Sequence, residues 1–372
     1  MSLKFDHLHY VPILKGKQGE LDAIKETSPE VRDAFTPLLE VPAIPLKYLE
    51  GEYVPIPAKS IDDHVNRVAE NFAKALGPKH PAFIDGQRIE EEEALDDGSE
   101  PVTEVFNVLR KNMVKFIPTI GLDRVAEYAE AVKAAIKEDG RGCCLRLIES
   151  DLEALADLED QIKSLLKFLG VNPPEVDLIV DFEADVPARA AFVYQVNGLP
   201  MLNKWRTVTV ASSSFPENME RVAQNSLVEL ERSEWLAWLF LRSNKEKLAR
   251  IPSFDDYAIN HPVLSEIDPR IMRMSPNIRY TAAVNYVIAK GEALPRKTDR
   301  QKKAAAAPSD QYPKLAGRIM KHPSWTGKKF SWGDAFIEDC SQKKRVGNAT
   351  NWRAVGTSHH IAFAVRQLAN LP

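Results

Sequence analysis

The chain has 372 residues, of which 44% are hydrophobic and 27% charged, and a formal net charge of -4. That length accommodates one large domain with an appendage or two domains, and the composition is that of an ordinary globular protein. The charge excludes a global attraction to nucleic acid or anionic membranes, and no apolar run approaches the roughly 20 residues needed to span a bilayer.

The N-terminal stretch MSLKFDHLHY lacks the apolar stretch of a signal peptide, so a cytoplasmic location is expected. Within it His7 and His9 share one face of a strand entry. An H-x-H pair with no identifiable third ligand is a weak metal signal. The first strand is YVPILKG, residues 10–16. Strict alternation places Val11, Ile13, Lys15 and Lys17 on one face, which begins apolar and ends in two ammonium groups. FTPLLEV (35–41) is the second strand. A Pro-rich lead-in and the amphipathic SIDDHVNRVAENFAKALG (60–77) follow it, and PAFIDG (81–86) is the third. The acidic run EEEEALDDGSE reads as a solvated loop.

VKFIPTI (114–120) is the fourth strand, with a helix over GLDRVAEYAEAVKAAIKE after it. CCLRLIE (143–149) is the fifth; its adjacent Cys143 and Cys144 make neither a disulfide framework nor a zinc spacing and read as small buried hydrophobes. The helix DLEALADLEDQIKSLLKFLG carries Leu152, Leu155, Leu158, Ile162, Leu165 and Leu166 at helical spacing and closes on Gly170. VDLIVDFE (176–183), RTVTVASSS (206–214) and SFDDYAI (253–259) complete eight strands. A long helix fits NSLVELERSEWLAWLFLRSNKEKLA between the last two, with Trp235, Trp238 and Phe240 as packing residues. NIRYTAAVNYVIAKG offers a further strand or hairpin that completes or lines the core sheet.

Alternating strands and helices imply parallel strands with right-handed crossovers. Eight such units over about 290 residues suit a closed barrel, whose usual size is roughly 250 residues. No Gly-rich dinucleotide loop follows the first strand, which argues against an open doubly wound sheet. The expected fold is therefore α/β: a TIM-barrel-like (β/α)8 domain over residues 1–296, a charged linker over 297–312, and a small, mainly helical C-terminal segment over 313–372 packing on or over the barrel. The final helix is expected to begin near Thr357 or Ser358, with His359 and His360 in its first turn, capping and packing.

In such a barrel the active face lies at the C-terminal ends of the strands. The last inward-facing polar residues there are Lys15, Lys17, Glu40, Asp85, Arg146, Asp181 with Glu183, Thr209 with Ser213, and Asp255 with Tyr257; Arg279 or Tyr280 follows. Lys15 and Arg146 suit phosphate or carboxylate groups, with Ser213 and Tyr257 as further substrate contacts. Lys17, Glu40, Asp85 and Asp181 are the candidate catalytic groups, the acids as general acid and base or as oxygen ligands of Mg²⁺. A lysine beside another cation is also a Schiff-base candidate. The bland reading is that these charges compensate one another in a structural cluster.

YVPILKGKQGE, PLLEV, NIRYT with YVIAKG, and the C-terminal FSWGDAFIEDC, GNATNWRAVGTSHHI and VRQLA together resemble the Beta protein family, a group of phage and bacterial proteins, over nearly the whole chain. The resemblance implies a setting in phage biology, bacterial defence or mobile elements and transfers no catalytic residue. It groups Trp332, Gly333, Asp334, Trp352, Arg353, His359 and His360 into one unit, a lid over the barrel mouth or a packing element at its side. Two function classes follow. One is a hydrolase or lyase acting on an anionic, phosphorylated or nucleotide-derived substrate. The other is a non-catalytic component that binds protein, or binds nucleic acid through RKTDRQKK.

Overall fold

A computed structural model describes residues 5–49, 54–90, 92, 94–153, 155–263, 275–293 and 307–371. In chain order the elements begin with β1 (Ile13–Leu14), α1 (Gln18–Lys25), α2 (Pro29–Arg32), β2 (Leu38–Glu40), β3 (Leu46–Lys47), β4 (Ile56–Pro57), α3 (Ile61–Leu76) and β5 (Ala82–Asp85). They continue with α4 (Pro101–Lys111), β6 (Phe116–Ile120), α5 (Ala126–Asp139), β7 (Cys143–Ile148), α6 (Glu149–Glu153), α7 (Leu155–Leu169), β8 (Val176–Asp181), α8 (Arg189–Asn197) and β9 (Thr207–Ala211). The last are β10 (Leu227–Glu231), α9 (Ser233–Ser243), β11 (Ser253–Asp255), β12 (Asn277–Thr281), β13 (Asn285–Lys290), α10 (Pro308–Met320), α11 (Trp332–Ser341) and α12 (Ala349–Ala369).

Eight strands form one parallel sheet in the order β1-β2-β5-β6-β7-β8-β9-β11. These are the eight segments expected from the sequence. The sheet is nearly closed. Tyr10 bridges Phe35 on one side and Phe254 on the other, and the Val11 and Ile13 amides donate to the Phe254 and Asp256 carbonyls at 3.2 and 3.0 Å. The strand phase is that of a barrel: Leu39, Ile84, Leu145, Leu147 and Val180 face the helices, while Val11, Ile13, Leu38, Phe83, Ile117, Cys144 and Ile179 pack together inside. Cys143, Cys144 and Cys340 are free and buried.

The helices around the sheet follow local rules. In α3 the Ser60 hydroxyl accepts from the Asp63 amide, and Val65, Val68, Ala69, Phe72 and Leu76 line one buried face at helical spacing. The Pro-rich lead-in to this helix holds the small hairpin β3–β4.

Two expected elements differ. Residues 225–249 are not one helix: Leu227–Glu231 pairs antiparallel with β13, and only Ser233–Ser243 is helical. LVELE alternates with period two, exposing Leu227, Glu229 and Glu231 and half-burying Val228 and Leu230, so the strand wins over helix propensity. β12 and β13 do form a hairpin, but with β10 it makes a separate three-stranded sheet and leaves the barrel untouched. The stretch RKTDRQKK and most of the expected linker lie outside the described residues.

The final helix also starts earlier than expected, at Ala349. Asn348 and Asn351 cap each other, each amide donating to the other's Oδ1 at 3.0 Å. His359 and His360 are thus mid-helix and fully buried. Ile361, Ala364, Val365 and Leu368 of α12 enter the same core as the barrel's outer face, so α12 packs beside the barrel against α1. Gly19 makes this approach possible. A Cβ there would lie 2.7 Å from the Thr350 carbonyl oxygen and 2.9 Å from the Arg353 Cβ. Toward the other side α12 packs, with α10 and α11, on the small sheet through Ile278, Tyr280, Val287, Leu315, Ile337, Trp352 and Val355.

Gly19→Ala should therefore cost about 1–3 kcal/mol by forcing α1 from α12. Gly317→Ala, in α10 with open space around its Cβ, should be neutral or stabilising by up to about 1 kcal/mol. Chemical denaturation of both variants checks this; equal effects would contradict the close approach.

Candidate functional site

The C-terminal ends of the barrel strands bring together six of the expected residues around one guanidinium. Arg146, in phase with Cys144 on β7, reaches across the barrel interior. Its Nη1 donates to Glu40 Oε1 at 3.0 Å and to Asp85 Oδ2 at 2.7 Å. Its Nε and Nη2 donate to Asp181 Oδ2 at 3.0 and 2.7 Å, and Nη2 also to the Tyr257 hydroxyl at 2.9 Å. Five contacts use the five N–H groups that a guanidinium has.

The carboxylates are equally occupied. Glu40 Oε2 accepts from Lys15 Nζ and from Arg88 Nε, both at 2.9 Å. Asp85 Oδ1 accepts from the Gln87 amide at 3.0 Å and lies 3.6 Å from Arg124 Nη2. Asp181 Oδ1 accepts from the Glu183 amide at 2.9 Å, and the Tyr257 hydroxyl donates to its Oδ2. Lys15 also sits 4.6 Å over the Tyr257 ring. All six residues are at most 3% exposed. Arg88, donating at 3.5 Å to the Pro262 carbonyl, closes the cluster from above.

Electrostatics fixes the protonation of this layer. Burial alone would raise the Glu40 carboxyl, but Lys15, Arg146 and Arg88 outweigh it and hold it well below the usual carboxylate range. Burial pulls on Arg146 in the opposite sense and is overcome by Tyr257, Asp181, Glu40 and Asp85, which keep it charged. Burial lowers Lys15 despite Glu40. Asp255 differs: burial, then Asp181 and Asp256, push its carboxyl well above the usual range. Its Oδ1 accepts from the Ile13 amide at 3.2 Å and its Oδ2 has no partner among the described residues.

Two expected site residues stand apart. Gly16 adopts φ +64 and ends the strand phase, so Lys17 turns outward and is exposed at the start of α1. Ser213 is buried, its hydroxyl donating to the Asn260 carbonyl and accepting from the Phe215 amide, with no contact to the Arg146 cluster. Glu40, Asp85 and Asp181 are separated by Arg146, and among the described residues no group of three or more Asp, Glu, His or Cys could hold a metal ion. His9 bonds Thr36 at 2.9 Å.

Lys17 instead joins a second group that sequence reasoning did not assemble. It lies within electrostatic reach of Arg353 on α12 and Arg279 on β12; partial burial, then Arg353, lowers its pKa. Arg279 donates to the Ile259 carbonyl and to Asn277 Oδ1, and burial followed by Arg353 brings its pKa down to about 9. Arg353 donates to Asn260 Oδ1, Asn260 Nδ2 donates to Glu20 Oε1 at 2.7 Å, and Glu20 Oε2 accepts from the Lys17 amide at 3.0 Å. Among the described residues none of these three cations forms an ion pair within 4 Å. Lys17, Arg279 and Arg353 come from sequence positions with no shared motif, which is why only the folded chain shows them together.

The paired histidines are structural. His360 Nε2 contacts Asp256 Oδ2 at 3.0 Å and the Tyr10 hydroxyl at 3.1 Å, and its Nδ1 contacts Thr281 Oγ1 at 2.8 Å. His359 contacts Asp334 Oδ2 and the Thr281 carbonyl, both at 2.9 Å. They tie α12 to the barrel closure and to the small sheet.

A family model described as Beta protein matches residues 10–366, nearly the whole chain. No curated protein matches the sequence. Among solved structures the chain is similar to the catalytic module of a family 98 glycoside hydrolase from Streptococcus pneumoniae TIGR4, in complex with the H-disaccharide blood group antigen. The identity is 12% and the TM-score 0.37, with 69% of this chain and 48% of that chain covered; this chain thus spans about half the other's length. No helix among the described residues is long and apolar enough to cross a membrane.

Arg146→Met should cost about 3–5 kcal/mol in denaturant unfolding, because it leaves three buried carboxylates facing one another; a near wild-type midpoint would contradict the hub role. Glu40 titrates below its unfolded value, so its contribution is complete above about pH 4.5 and lost as pH falls through the folded value. Glu40→Gln should accordingly flatten the acid limb of the stability profile, measured as Tm between pH 7 and pH 3.

Proposed function

We propose that this chain, which belongs to the Beta protein family, is a recognition protein that holds an anionic ligand at the rim of its barrel mouth. Lys17, Arg279 and Arg353 contact the ligand, and the Arg146 cluster is the rigid floor beneath them. The observation that carries the reading is uncompensated charge. Among the described residues, three cations that form no ion pair within 4 Å sit within electrostatic reach of one another, and Glu20 sets one negative charge against their three positive ones. Like charges held close repel, and a bound anion relieves that repulsion. Two arginines and a lysine suit phosphate or carboxylate oxygens. A recognition component of a phage or anti-phage system fits this assignment.

Arg146 has no donor left for a substrate, and Glu40 is held ionised by three cations, so neither matches a substrate clamp or a general acid. A catalytic version, a hydrolase or lyase on the same anionic ligand, finds support at a different residue. Glu183, two residues past the end of β8, stands exposed at the mouth with φ +49, and partial burial and then Asp181 raise its carboxyl above the ordinary value. That is the setting of a proton donor beside the rim.

Calorimetric titration with inorganic pyrophosphate as probe should show binding that weakens as salt rises. The double variant Lys17→Glu/Arg353→Glu should lose at least roughly tenfold in affinity while its Tm stays near wild type. Binding that is insensitive to both salt and these substitutions would remove the rim as the site. In the catalytic version, Glu183→Gln abolishes turnover of a phosphate ester and leaves pyrophosphate affinity unchanged.

A further inference from the structure

The opposite, N-terminal end of the barrel carries a cavity that the rim site does not use. It encloses about 230 Å³, the share of roughly seven or eight liquid waters and so room for one substituted ring. Its walls are flat. The Phe5 and His9 rings stack at 4.3 Å and 16°, and the Phe35 and His80 rings meet at 4.7 Å and 58°. Arg32 and Lys79 stand at its edge, with Asp33 as the nearby acid.

Two features distinguish it from a surface dimple. His80 is only 3% exposed, and its Nε2 is buried with no hydrogen-bond partner among the described residues; leaving such a group unpaired costs free energy that a polar ligand atom recovers. Arg32 donates its guanidinium to the Ile24, Ala75 and Leu76 carbonyls, and among the described residues it forms no ion pair with a carboxylate. Burial holds both imidazoles neutral, His80 at about 3 and His9 at about 4. Each ring nitrogen there is thus a fixed donor or acceptor instead of a competing cation.

We propose that this cavity is a binding site for a small aromatic carboxylate bearing a ring hydroxyl. The ring lies between the Phe5–His9 and Phe35–His80 walls, the carboxylate faces Arg32 and Lys79, and the hydroxyl meets His80 Nε2. The site is independent of the cationic rim, which lies at the other end of the strands.

The test uses the full chain and 4-hydroxybenzoate as probe, followed by ligand-observed NMR and by the ¹⁵N signals of the labelled imidazoles. Binding in the millimolar range or tighter, with the His80 nitrogen signals displaced, is expected. Benzoate should displace them less. Lys79→Glu, at an exposed position, should weaken binding roughly five- to tenfold, whereas Arg353→Glu should leave it unchanged. No saturation transfer at millimolar probe overturns the proposal. So does binding that leaves His80 unmoved, or that persists at full strength in Lys79→Glu. Pyrophosphate affinity, measured on the same Lys79→Glu protein, reports separately on the rim.

Discussion

Everything at the mouth of this barrel is organised around the side chain of Arg146. A guanidinium brought into a nearly dry interior must find an acceptor for each of its five N–H groups or pay the full desolvation penalty. Here β2, β5, β8 and the second residue beyond β11 each send one inward oxygen-bearing side chain to meet it: Glu40, Asp85, Asp181 and Tyr257. Because those residues come from three strands and the turn beyond a fourth, the hub can be satisfied only when the sheet has its native register and curvature. A register slip of one residue would turn each carboxylate outward into apolar packing. The cluster is thus a specification device for closure as much as a source of energy, the role best attested for buried charges.

The same requirement shapes what the mouth can do. Its interior layer is committed to itself, so recognition moves outward to side chains the hub does not claim. Gly16 performs the separation: it ends the first strand in a left-handed conformation, with no room for a Cβ against the Glu40 carbonyl, and sends Lys15 into the hub and Lys17 to the rim. α12 completes the rim by supplying Arg353. That helix is held at one side by the barrel core and at the other by the small sheet, with His360 on Asp256 and His359 on Asp334 as polar pins. The start of α12 therefore builds part of the mouth, and the segment between β11 and α12 carries β12 and β13, two of the three strands of the small sheet, with α10 and α11.

Much of this was legible in the sequence and some was not, for identifiable reasons. All eight barrel strands are short apolar runs between amphipathic stretches, and period-two alternation assigned the inward faces correctly, down to Arg146, Asp181 and Tyr257. Alternation cannot see a break in phase and so puts Lys17 inside; only the backbone conformation at Gly16 reveals the turn. The strand LVELE was hidden by the strongly helical residues after it. The start of α12 is marked only by the reciprocal Asn348–Asn351 cap, polar residues that read as loop. Arg88 and Arg124, which close the hub, lie just beyond strand ends, where only tertiary folding says which way they turn.

The central claim is that Arg146 is sealed and fully occupied. Hydrogen exchange of its guanidinium protons, followed by NMR on arginine-labelled protein, tests it most directly. The account predicts distinct Nη signals whose exchange is as slow as that of the barrel-core amides. Rapid exchange with solvent, or Nη signals averaged by free rotation, would show an open guanidinium and return the mouth to the candidates for chemistry.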